Sequence, residues 1–204
     1  MSEEVQLPDA FLEQIGNAIP AYLTPEKKED LLKGIKDFPK NMEYYLPPEQ
    51  FSDEILQGDI WYDFQIINFL TTERKNVKGI ILSNSCDIST ENPRYSPITV
   101  SFVPLLRVSK LHDHLTKIKN KVSADSIIEG IISQSNTQYF YLPKSRCNTV
   151  EDNFIADLTN IHTLPIDYVQ KNSTKRLSLS MIGFYLLLVK ISMHLCRFNE
   201  RVDR

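Results

Sequence analysis

A change of hydrophobic period near residue 59 constrains this chain more than any other feature. Upstream, apolar residues recur at helical spacing; from Asp59 to Val103 they fall in short β-branched and aromatic runs joined by polar connections. Asp59-Ile60-Trp61-Tyr62-Asp63-Phe64 and Ile66-Ile67-Asn68-Phe69-Leu70 read as strand, Thr71–Asn76 as a polar turn, and Gly79-Ile80-Ile81-Leu82 as a short buried strand. After the polar loop Ser83–Pro97, the β-branched content of Ile98-Thr99-Val100-Ser101-Phe102-Val103 predicts a third strand. Neighbouring strands with short connections favour an antiparallel meander, so the expected fold is α+β around a small antiparallel β-barrel.

Helices are expected on both flanks. Pro8-Asp9 opens a pattern of Phe11, Leu12, Ile15, Ile19 and Leu23, shortened by Gly16 and Pro20. Thr24-Pro25-Glu26 starts a second helix through Leu31, Leu32 and Ile35, which Pro39 stops. Residues 39–57 read as an extended wrap in which Tyr44, Tyr45, Leu46 and Phe51 are buried. Val108–Lys119 and Ser123–Ser133 form a helical excursion with Ser123 as N-cap, strands return at Gln138–Leu142 and Asn153–Leu158, and Ser178 or Ser180 caps a long helix to about Glu200. The expected organisation is an acidic helical arm (1–57), a barrel (58–170) with a helical pair inserted at 108–134, and a basic C-terminal helix (171–204) packed on the barrel.

The 204 residues, 42% hydrophobic, suffice for one core, and a net charge of −3 hides a gradient. Residues 1–59 carry five Lys and thirteen acids, 60–170 eleven charges of each sign, and 171–204 seven bases and two acids. Opposite charge at the two ends predicts that they meet, within one chain or across a dimer. Cys86, Cys147 and Cys196 are odd in number and lack paired spacing, which argues against a disulfide framework or a zinc ribbon. The acidic start Met-Ser-Glu-Glu-Val has no signal-peptide character, so a cytoplasmic location with reduced thiols is expected. Met181–Val189 falls short of the ~18 apolar residues of a membrane span and reads as a buried helix.

The densest polar loop is Ser83–Arg94, directly after a buried strand, where a rigid support can present reactive groups at a rim. Within it Cys86 is a candidate nucleophile, Asp87 a candidate acid or turn former, and His162, His112 and His114 candidate bases. His112-Asp113-His114 does not suit a metal, because i and i+2 on a helix point to different sides. With six glycines and no phosphate-binding loop, no nucleotide cofactor is expected. Arg74, Lys75, Lys78, Asn84, Arg94 and Arg107, with Trp61, Tyr62 and Tyr95 close in sequence, are candidates for a phosphate and stacking surface on single-stranded nucleic acid.

The stretch from Gly58 to Leu106 resembles the MazF/PemK toxin family in Gly58-Asp59-Ile60-Trp61, in Gly79-Ile80-Ile81-Leu82-Ser83-Asn84 and in Arg94-Tyr95-Ser96-Pro97 leading into Ile98–Pro104. The resemblance implies a small SH3-like barrel and contact with single-stranded RNA. The position of that family's catalytic arginine falls on Val77, with Lys78 the nearest base, and that of its catalytic threonine falls near Leu105. Neither Val nor Leu can supply acid–base or cationic catalysis. The expected function is therefore a non-catalytic binding or regulatory module, in the setting of a bacterial toxin–antitoxin or phage-defence system that the resemblance implies. A protein partner or homodimer is expected, with single-stranded RNA as a further ligand. The alternatives are a single-stranded RNA endoribonuclease with a rewired site and a cysteine-dependent hydrolase centred on Cys86.

Overall fold

The computed structural model describes residues 24–26, 28, 29, 33, 44–92, 95–145 and 149–196. The expected helix from Pro8, together with Arg94 and Cys147, lies outside them. The described positions within 25–33 are helical, with Lys28 N–H on the Thr24 carbonyl at 3.0 Å. The elements then run β1 (Ile60–Ile67), β2 (Arg74–Ile81), α1 (Ser85–Ile88), β3 (Thr99–Arg107), α2 (Val108–Ile118), α3 (Lys121–Ile132), β4 (Tyr139–Leu142), β5 (Phe154–Asp157), β6 (His162–Pro165), α4 (Ile166–Asn172), β7 (Thr174–Leu177) and α5 (Met181–Ile191).

The α+β class is as expected, and the sheet is antiparallel with seven strands. Its order is β4-β5-β3-β2-β1-β7, with β6 also paired to β3. The closure expected of a barrel is not seen: among the described residues β4 and β7, at the two ends of this order, do not pair with each other, so the sheet is not closed. Strand β3 pairs with β2 as far as Pro104 and with β5 over Leu105–Arg107. Helix α5 fills the space that closure would otherwise fill, since its Leu186, Leu187 and Val189 share one core with Phe140 and Leu142 of β4 and Leu177 of β7.

Alternate strand residues divide between two cores. Ile60, Ile80 and Val103 face the α5 side, while Trp61, Ile81 and Phe102 face a second core with Ile166 and Val169 of α4. Because both faces are covered, these strands read as continuous apolar runs. A bulge reconciles Trp61 with Phe64 and Ile66, which differ in parity yet share the second core: Trp61 pairs with Gly79 and Phe64 with Val77, with Asp63 at φ +67° between them. Phe64 and Phe102 stack at 4.1 Å over Gly79, where an added Cβ would lie 2.6 Å from the Phe64 ring.

Several predicted boundaries move. Strand β1 runs unbroken to Ile67, and β2 begins at Arg74, inside the stretch read as turn. Asn120, rather than Ser123, caps α3, its carboxamide oxygen accepting the Ser123 N–H at 2.8 Å. Ser180 caps α5, which ends at Ile191 and continues as a π-helical turn to Cys196. Tyr44 is buried and its hydroxyl donates to the Tyr141 carbonyl, whereas Phe51, at φ +58°, is 42% exposed. β6, α4 and β7 were not expected from sequence periodicity.

Candidate functional site

The described part of the polar loop, Ser83–Asn92, is built largely by turn chemistry. Ser83 Oγ accepts the Ser101 N–H (2.7 Å), Asn84 Oδ1 accepts the Cys86 N–H (2.9 Å) as the N-cap of α1, and Asn92 Nδ2 donates to the Cys86 carbonyl (2.7 Å). Cys86 and Asp87 are exposed on α1. His162, on β6, has its Nε2 3.0 Å from Asn160 Oδ1 and its ring stacked on Phe102. The His162 imidazole is thus engaged by Asn160 and Phe102.

A different constellation forms on the sheet. Ile60 pairs with Ile80, and Ile80 with Val103, so strand alternation puts Tyr62, Lys78, Arg74 and Arg107 on the same face and Lys75 on the other. Lys78 Nζ bonds Glu151 Oε1 and sits 4.1 Å from the Tyr62 ring centroid, while the Tyr62 hydroxyl donates to Glu151 Oε2 at 2.6 Å. The Arg176 guanidinium of β7 lies 4.7 Å from the same ring, and Arg107 Nε is 3.4 Å from Asp152 Oδ2. Three cations from three strands thus gather around one tyrosine.

The acids are held by the segment before β5. Ser145 and Val150 close a loop through Ser145 N–H to the Val150 carbonyl (3.0 Å) and Val150 N–H to Ser145 Oγ (2.9 Å). Asn153 Oδ1 then accepts the Tyr141 hydroxyl and the Lys144 N–H, and its carbonyl accepts the Val108 N–H at the start of α2. Glu151 and Asp152 therefore leave a fixed base toward the sheet.

Electrostatics reflect the crowding of cations. Desolvation, and then repulsion from Arg107 and Arg176, lowers the Lys78 pKa, although Asp152 and Asp63 oppose it. Partial burial raises the Tyr62 pKa against the pull of Arg176 and Arg107. Lys78 and Arg107 have carboxylate partners; among the described residues no carboxylate pairs with Arg176 or Arg74.

Of the sequence candidates, Lys78, Arg107 and Arg74 share this face, Lys75 lies opposite, and Asn84 belongs to the cap beyond the other end of β2. Trp61 is 7% exposed and unavailable for stacking on a ligand. Arg176, Glu151 and Asp152 were missed: they sit 70 or more positions after the end of β2 in segments without a motif, and only strand pairing brings them to Tyr62. No protein-family model matches this chain, and no curated protein matches it significantly.

Proposed function

We propose that the protein is a non-catalytic binding module that takes the phosphate backbone of single-stranded nucleic acid on the face bearing Tyr62, Lys78, Arg107 and Arg176. The observation that carries this reading is the convergence of three strand-borne cations on one partly exposed face, with Arg176 left without a carboxylate partner among the described residues. Phosphate positions are recognised by such cations irrespective of sequence. The resemblance of residues 58–106 to MazF/PemK barrels supports the ligand class. It also supports a regulatory role in a bacterial toxin–antitoxin or phage-defence system, in the cytoplasm and with a protein partner or a second copy.

A ribonuclease is the second reading, favoured by Glu151, which accepts from Tyr62 and Lys78 and is chemically able to act as a base. One experiment separates the two. Labelled ten-residue oligouridine incubated with the protein should be retarded on a native gel and stay intact on a denaturing one. Fragments that disappear with Glu151→Gln would establish the ribonuclease, and an unretarded oligomer would remove both.

A further inference from the structure

Of the three aromatics that the sequence suggested as stacking partners, Tyr95 is the one left fully exposed, in the loop before β3. Trp61 is buried, and Lys78 and Arg176 already lie over the Tyr62 ring. A second exposed aromatic, on the strand pair that carries Arg74 and Lys78, is Phe69, 91% exposed beside Leu70, 95% exposed, at the tip of the β1–β2 hairpin. Such exposure of two large apolar side chains is costly, and the tip is built to maintain it. Asn68 Oδ1 accepts the N–H groups of Leu70 (2.9 Å) and Thr71 (3.4 Å), the Asn68 carbonyl accepts the Thr72 N–H (2.7 Å), and the Asn68 N–H donates to the Glu73 carbonyl (3.0 Å). Thr72 completes the turn at φ +59°. The ordering entropy of this turn is therefore met on folding and not on binding.

From the tip, Arg74 and Lys78 follow on one face of β2, about 13 Å apart along the strand at the usual rise. Resting on the nucleic-acid reading above, we propose that the hairpin tip is its base-contacting element: Phe69 stacks on a nucleobase of a single strand whose phosphates follow Arg74 and Lys78. An apolar pocket on a partner protein would accommodate Phe69 and Leu70 but leave the cations beside them unmatched. A single strand satisfies both, base on ring and phosphate on cation.

The test compares two polymers of equal charge, a labelled ten-residue oligouridine and an abasic ten-mer with the same number of phosphates, by fluorescence anisotropy with the full chain. Phe69→Ala is expected to weaken oligouridine binding about tenfold and to change abasic binding by under about twofold. Phe69→Trp is expected to retain oligouridine affinity, with its added indole emission quenched on binding. If Phe69→Ala leaves oligouridine affinity unchanged while Arg176→Ala lowers it, the stacking role is overturned and the backbone reading stands. Equal loss for both polymers overturns stacking as well. A wild-type protein that binds neither polymer overturns both readings.

Discussion

Lys190 is fully buried in α5, where its Nζ donates to the carbonyls of Gln134 and Asn136 beyond the end of α3. Burial pushes its pKa down to about 7. In the unfolded chain the same amine titrates near about 10.4, so between these values the unfolded state holds the extra proton and stability rises with pH. Burial raises the pKa of Tyr44, Tyr45 and Tyr141, so the folded state resists tyrosine ionisation and opposes this gain above pH ~9.5. Urea denaturation from pH 7 to 9 should show a gain approaching about 1.4 kcal/mol per unit, and Lys190→Met should flatten it. A wild-type stability that is level over this range would contradict the assignment. Asp59 is a second buried charge, accepting from Leu56 N–H (2.7 Å), Ser178 Oγ (2.7 Å) and Lys175 Nζ (2.8 Å). Asp59→Ala leaves Lys175 largely buried without its counterion and is expected to cost about 3–5 kcal/mol by chemical denaturation. Neither partner set is legible in the sequence, because Ser178 lies 119 positions from Asp59 and only the pairing of β1 with β7 joins them.

At the level of elements, the second core depends on the bulge in β1. If β1 kept all its residues but paired without the bulge at Asp63, Trp61 and the Phe64–Ile66 pair would face opposite sides of the sheet. Deleting Asp63 removes the bulge while keeping Trp61 and Phe64 on one face, so it is expected to retain cooperative unfolding monitored by near-UV circular dichroism, as is Asp63→Gly, which accepts a positive φ; Asp63→Val, β-branched at that φ, is expected to cost about 1–3 kcal/mol by urea denaturation. Gly79→Ala drives a Cβ into the stacked Phe64 and Phe102 rings, at 2.6 and 2.9 Å, and is expected to cost about 2 kcal/mol. The sequence conveyed β1, β3, β4 and β5 because their apolar residues are dense. It did not convey β6 or β7, four-residue strands of mixed polarity whose hydrogen-bonding partners, not their own pattern, make them strands. Gly183 is a poor helix former within α5. Its place there is a contact point, since a Cβ would lie 2.7 Å from the Tyr44 carbonyl oxygen.

Across the whole molecule, the opposed charges of the chain's ends are partly joined. Tyr44–Asp59, from the acidic stretch, runs along the start of the basic one: Leu46 N–H donates to the Ser178 carbonyl, Ser180 N–H to the Tyr44 carbonyl, and Lys175 pairs with Asp59. Adjacent residues on a strand point to opposite sides, so where Lys175 secures this wrap, its neighbour Arg176 reaches Tyr62. One short basic strand thereby serves both the fold and the candidate site. Sequence spacing identified Lys78, Arg107 and Arg74 as candidates but could not group them, because a shared face depends on register between strands. The central claim is that this face binds a phosphate backbone, and the salt dependence of oligouridine binding tests it most directly. With three phosphates neutralised, the logarithm of Kd should rise with that of salt concentration at a slope of about 2, and Arg107→Ala with Arg176→Ala should reduce the slope by about 1.4 while the oligomer stays intact. An unchanged slope in the double variant, or no saturable binding by the wild type, would contradict the account.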